Sequence, residues 1–190
     1  MKICFATHNQ NKLEEVRLLL PDMEVLGLEE LGQVEEIPET GSTLDENSAL
    51  KAKFVWDKFN INCFADDTGL EVEELNGAPG VITARYAGEE RDNEANINLL
   101  LKNLQGRPNR KARFRTIITL IIDGHQTQFE GLVIGEISES LSGTKGFGYD
   151  PIFKPNGYDL TFAEMSMKDK SAISHRGRAI KKLVDYLSNQ

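Results

Sequence analysis

Ile61-Asn62-Cys63-Phe64-Ala65-Asp66-Asp67-Thr68-Gly69 carries an apolar stretch into a pair of carboxylates, and the fold class turns on how that junction is read. A short apolar run closed by turn residues has the form of a buried strand, so the aspartates stand where a strand stops. In open α/β sheets, ligands gather outside the carboxyl ends of the strands. Side chains alternate across a strand, so one aspartate faces a cleft and the other turns away. Asp67 is the candidate for the cleft. The bland alternative is an Asp-rich turn closed by Gly69, since Asp, Thr and Gly are ordinary turn residues.

Working outward, Ile3 to Thr7 reads as a buried strand, and Asn9-Gln10-Asn11 leads into an amphipathic helix with Leu13, Val16, Leu19 and Leu20, stopped by Pro21. Thr43 and Glu46 form a capping box for a helix reaching about Phe59. Leu70 to Leu75 reads as a further strand, and Asp92 to Leu104 as a helix with Ile97, Leu100, Leu101 and Leu104 inward. The period then changes to two. Ala112, Phe114, Thr116, Ile118, Leu120 and Ile122 alternate with other residues, and Asp123-Gly124 turns this strand into a second one through Phe129, Leu132 and Ile134. A closing helix places Ile173, Ile180, Leu183, Val184 and Leu187 inward. These elements predict an α/β fold in one domain, a mixed sheet flanked by helices, with a cleft between two lobes as the place for a ligand.

A chain of 190 residues at 39% hydrophobic and 27% charged has the make-up of a globular protein with a real core. No apolar run approaches the roughly 20 residues of a membrane span, and the start turns polar too soon for a signal peptide. A cytoplasmic protein without a membrane partner is expected. Cys4 and Cys63 lie in predicted strands and read as small core residues. The formal net charge of -8 argues against a nucleic-acid polymer as partner, because such binding needs a basic surface. Phosphorylated small molecules remain open to an acidic protein that gathers local cations and a divalent metal.

Thr7-His8-Asn9-Gln10-Asn11-Lys12 lies between a strand and a helix start, where free amides and Lys12 favour an anion; an Asn-rich helix cap also accounts for it. It is not a Walker A loop or a dinucleotide fingerprint, and taken alone the run is better explained by the cap than by an anion site. Lys51, Lys53, Lys170, His175 and Arg176 offer cations, or else solvated helix faces. Arg176, three residues after Ile173 and four before Ile180, falls on the buried side of the last helix, where a guanidinium needs either a carboxylate or a ligand. Gly143 to Pro151 packs glycines around Phe147 and Tyr149, which suits backbone approaching a flat ligand with a ring stacked on it, or a tight turn with Phe147 as a core plug. Glu39 and Asp67 are the best pair for a hard cation such as Mg²⁺. His8, His125 and His175 are too scattered to indicate a transition-metal site.

Thr7 to Lys12, Glu39-Thr40-Gly41, Asp66 to Leu70, Gly77-Ala78-Pro79-Gly80, Ala84-Arg85-Tyr86-Ala87-Gly88, Gly146 to Pro151 and Lys170 to Gly177, in that order, resemble the inosine/xanthosine triphosphate pyrophosphatase family. The resemblance covers nearly the whole chain. It implies an elongated mixed sheet, two lobes enclosing the active site, and a homodimer. It also implies Mg²⁺-dependent hydrolysis of deaminated purine nucleoside triphosphates (ITP, dITP, XTP) between the α and β phosphates, giving monophosphate and pyrophosphate.

Carried over by position, the resemblance has Thr7, His8, Asn9, Gln10, Asn11, Lys12 and Lys51 hold the triphosphate, and Glu39 and Asp67 bind the metal. Asp67 is also the general base and Thr68 touches phosphate. Phe147 stacks on the purine, Gly148, Tyr149 and Asp150 fix the base or sugar, and Lys170, His175 and Arg176 read the oxo-purine edge. His8 departs from the pattern, since many relatives carry a small residue there. Selectivity has a simple basis: O6 of inosine or xanthine accepts where the N6 amine of adenine donates, so a site of donors opposes adenine. Two rivals stay in view, a pyrophosphatase of the septum-inhibitor type acting on pyrimidine or modified nucleotides, and a nucleotide sensor without turnover.

Overall fold

The computed structural model describes residues 1–189. In chain order the elements are β1 (Lys2–Phe5), α1 (Gln10–Leu19), β2 (Glu24–Leu26), α2 (Leu44–Phe59), β3 (Cys63–Val72), β4 (Pro79–Gly80), α3 (Asn93–Asn103), β5 (Lys111–Ile122), β6 (His125–Ile137), β7 (Phe153–Pro155), α4 (Met167–Ile173) and α5 (His175–Ser188). The strands form a mixed sheet in the order β2-β1-β3-β5-β6-β7, with β4 added on β3. β1 pairs in parallel with β2 and with β3, whereas β3–β4 and β6–β7 are antiparallel. The α/β class with a mixed sheet is as expected from the sequence.

Local chemistry explains most boundaries. Asn9, Thr43, Asp92 and Ser166 each cap a helix by accepting a backbone N–H from the residue three positions on. The Glu46 carboxylate reaches back to the Ser42 backbone N–H, completing a box at the start of α2. Asp123 and Gly124 both have positive φ, 49° and 82°, the two-residue turn that a twisted antiparallel hairpin favours, and it joins β5 to β6.

Two boundaries differ from expectation. Asp66-Asp67-Thr68-Gly69 is not a strand end: β3 continues through it to Val72, and Glu73–Leu75 forms a 3₁₀ turn. Turn propensity loses here to burial and to the ion pairs described below, which hold Asp66 within the strand. The C-terminal helix is also broken. Ile173 ends α4, Ser174 is extended with ψ 160°, and α5 starts afresh at His175.

By contacts the chain forms two compact units: residues 1–67, 116–131 and 175–190, and residues 68–115 and 132–174. The first holds two apolar clusters. One joins Ile3, Phe5, Leu13, Val16, Phe64, Ile118, Leu120, Ile180 and Leu183, and Phe5 and Phe64 stack 4.8 Å apart on the paired strands β1 and β3. The other joins Cys4, Leu28, Ala52, Val55, Cys63, Ala65 and Ile121. Cys4 and Cys63 are core residues as read from sequence, and burial pushes both thiols up to about 12. The second unit is built around Leu70, Leu100, Leu104, Phe114, Phe153 and Phe162. Among the described residues, no helix is long and apolar enough to cross a membrane.

Candidate functional site

In the first unit, α1, α2, β3 and α5 bring charged side chains together that lie far apart in sequence. Lys12 Nζ is 2.9 Å from Asp66 Oδ1, and Arg176 Nε is 3.1 Å from Asp66 Oδ2. Arg176 also donates to Glu15, at 2.5 Å. On the neighbouring residue of β3, Asp67 Oδ1 lies 3.8 Å from Lys51 Nζ, which at 2.6 Å also holds Glu39. Alternation along the strand thus gives the adjacent aspartates different partners.

Their ionisation differs accordingly. Burial opposes a charge on Asp66, but Lys12, Arg176 and Lys51 together hold its carboxyl far below the usual carboxylate range. For Asp67, burial and the nearby Glu39 outweigh the pull of Lys51, so its carboxyl titrates above its ordinary value. Lys51 is buried too, yet Asp67, Glu39 and Asp66 keep it more firmly protonated than usual. Lys12 moves the other way, through burial first and then repulsion from Arg176 and Lys51. Two neighbouring carboxylates pushed apart in pKa are a common arrangement where one takes a structural role and the other a proton.

The helix-cap strand end is ordered by its own hydrogen bonds. Thr7 Oγ1 accepts the Asn9 N–H, and Asn9 Oδ1 accepts the Lys12 N–H. Gln10 and Asn11 are exposed, and the His8 Nε2 lies 3.0 Å from the Glu35 carbonyl. On α2 the cations separate: Lys51 is buried, whereas Lys53 points to solvent and pairs with Asp57. His175 is buried at the start of α5.

Some expectations need correction. Arg176 is 2% exposed and engaged by two carboxylates, so of its two readings the structure supplies the ion pair. Its spacing from Ile180 survives, but Ile173 belongs to another helix. Sequence reasoning also passed over Glu15 and Asn47, and gave Asp66 no partner. The signal was present in α2, where Asn47, Ser48 and Lys51 share the buried face with Leu44, Ala52 and Val55; polar residues on an apolar stripe need partners.

The donor set suits a hard cation. Glu39 and Asp67 place oxygens around one ammonium, which leaves their combined charge under-compensated, and neither His nor Cys accompanies them. Among the described residues no group of three or more His, Cys, Asp or Glu forms a metal site. The pair fits Mg²⁺ held by one or two carboxylates, with water and substrate oxygens completing the shell.

The second unit holds the other group. Lys170 Nζ lies 2.7 Å from Asp150 Oδ2 and 4.8 Å from the centre of the Phe147 ring. Asp150 Oδ2 also accepts the Phe147 backbone N–H at 2.9 Å. Gly146, with φ 72°, is required here, because a Cβ would overlap the Asp150 carboxylate. Phe147 and Gly148 are half-buried. Tyr149 is instead the core plug of this loop: it packs in the apolar cluster and its hydroxyl donates to the Thr83 carbonyl at 2.7 Å, so its ring is not available to a ligand. Thr68 begins this unit and is half-buried.

Residues 3–186 match the Ham1 family. A dITP/XTP pyrophosphatase from Christiangramia forsetii is 54% identical over 99% of this chain and 100% of its own length. Among solved structures, a HAM1 protein from Coxiella burnetii superposes with a TM-score of 0.91 at 36% identity, covering 100% of both chains. The Staphylococcus aureus Ham1 protein does so with a TM-score of 0.89 at 42% identity, covering 100% of this chain and 99% of that one. Sequence, fold and the ordered motifs agree, and the chain belongs to the Ham1 family.

Proposed function

We propose that the protein is a house-cleaning nucleoside-triphosphate pyrophosphatase, hydrolysing deaminated purine nucleotides (ITP, dITP, XTP) to the monophosphate and pyrophosphate. The observation that carries this is the Glu39–Lys51–Asp67 cluster beside Lys12, in a chain 54% identical to a dITP/XTP pyrophosphatase. Asp67, on β3 beside Lys51 and Glu39, accepts the proton of the attacking water, the role the family resemblance implies. Lys51 and Lys12 offset negative charge on the phosphoryl oxygens, helped by amides at the start of α1. Glu39 and Asp67 would hold Mg²⁺, which when bound would supply Lewis acidity and order the reacting groups. In the second unit Phe147 offers a stacking face, with Lys170 as the donor to an oxo-purine. The protein works as a cytoplasmic homodimer on free nucleotides, as the family resemblance implies.

Product analysis tests this directly. With Mg²⁺, ITP is expected to give IMP and pyrophosphate while ATP and GTP stay nearly intact, and EDTA is expected to abolish the reaction. Orthophosphate release, or equal use of pyrimidine nucleotides, would overturn the assignment. His8→Gly is expected to keep kcat/KM within a few fold, because the substitution removes one exposed contact to Glu35, worth about 1 kcal/mol. A larger loss measured for ITP would place His8 on the phosphates.

A further inference from the structure

We infer that Asn47 is a positioning residue that ties the loop carrying Glu39 to Asp67 and so sets the spacing of the two proposed metal ligands. Asn47 is 1% exposed, on the face of α2 that one turn later presents Lys51. Its Oδ1 accepts the Gly41 backbone N–H at 2.7 Å, two residues from Glu39. The same amide is among the groups that favour the ionised form of the Asp67 carboxyl. Since Oδ1 takes the Gly41 N–H, the NH₂ end of the amide is the one left to face a carboxylate. Gly41 is held so closely that a Cβ there would lie 2.7 Å from Asn47 Oδ1. Lys51 joins the same two groups by charge, at 2.6 Å to Glu39 and 3.8 Å to Asp67. A cation is too weakly directional to fix carboxylate orientation, whereas the bond from the Gly41 N–H to Asn47 Oδ1 is directional. Residues that orient metal ligands typically change metal affinity or activity by about 10–100-fold when removed.

This rests on the metal reading above and is tested apart from it. Mn²⁺ binding to the nucleotide-free protein is followed by electron paramagnetic resonance for the wild type, Asn47→Ala and Ser48→Ala. Ser48 is the control: it is buried on the same helix and makes a 2.7 Å hydrogen bond to Thr119, distant in sequence from both ligands. Asn47→Ala is expected to weaken Mn²⁺ binding, and to raise the half-saturating Mg²⁺ in ITP turnover, by about tenfold, with KM for ITP at saturating Mg²⁺ within about twofold. Ser48→Ala is expected to lower Tm and leave both metal constants in place. Unchanged Mn²⁺ affinity in Asn47→Ala, an equal loss in Ser48→Ala, or a wild type that binds no Mn²⁺ would each overturn the inference. Should Asn47→Ala not fold, Asn47→Ser answers the same question. A wild type inert toward ITP would sink the proposed reaction, while the Mn²⁺ titration would still decide the role of Asn47.

Discussion

Asp67→Asn is expected to lower kcat for ITP hydrolysis by about 10³-fold without lowering Tm. The loss combines removal of the proposed base, worth roughly 10²–10⁴-fold, with loss of one oxygen donor from the proposed metal pair. The stability half of the expectation comes from the sign of the pKa shift. Burial and Glu39 raise the carboxyl of Asp67 in the folded protein, so its ionised form is less welcome there than in the unfolded chain. A neutral amide of the same shape removes that penalty. Single-turnover kinetics and thermal melts on one preparation check both halves. Activity within tenfold of wild type would remove Asp67 from the base role. A lost activity accompanied by a collapsed Tm would show that the side chain is a structural brace.

Asp66→Asn is expected to do the reverse of its neighbour and destabilise the fold, by about 3–5 kcal/mol. Asp66 is 1% exposed and accepts from both Lys12 and Arg176; its loss takes one of two carboxylates from Arg176, itself 2% exposed, and leaves Lys12 without its Asp66 partner. For a chain of this size the change corresponds to a fall in Tm of roughly 6–20 °C. The pH dependence follows from the depressed pKa of Asp66. Above the unfolded value near 3.8 the ionised carboxylate contributes its full stabilisation, and this is lost as pH falls through the much lower folded value. The stability gap between wild type and Asp66→Asn therefore stays constant near neutrality and closes only in acid. Chemical denaturation from pH 7 down to pH 3 measures it. A gap that opened on acidification would contradict the assignment of Asp66 as the ionised anchor of the cluster.

The contrast between adjacent aspartates marks the limit of what could be read along the chain. Periodicity and caps placed α1, α3 and the β5–β6 hairpin to within a residue or two, because Asn9, Asp92 and Asp123-Gly124 act on their immediate neighbours. The ordered motifs carried the family, since such a match depends on residue types and spacing alone. Local signals failed where distant groups decide. Asp-Thr-Gly has turn propensity, yet it runs on as strand because Lys12 and Arg176, 54 and 110 residues away from Asp66, satisfy a carboxylate inside the sheet. Tyr149 and Phe147 are both aromatics in a glycine-rich loop, and only packing separates the buried plug from the half-buried ring. The polar face of α2 was visible in sequence, but its partners in Gly41, Glu39 and Asp67 come from segments that only the folded backbone brings together. Sequence by itself therefore determined fold class, most element boundaries and kinship, which rest on nearest-neighbour chemistry. That Asp66 is held ionised by Lys12 and Arg176 while the neighbouring Asp67 carboxyl is pushed up was decided by tertiary structure alone, because ionisation depends on burial and on charges supplied from elsewhere in the chain.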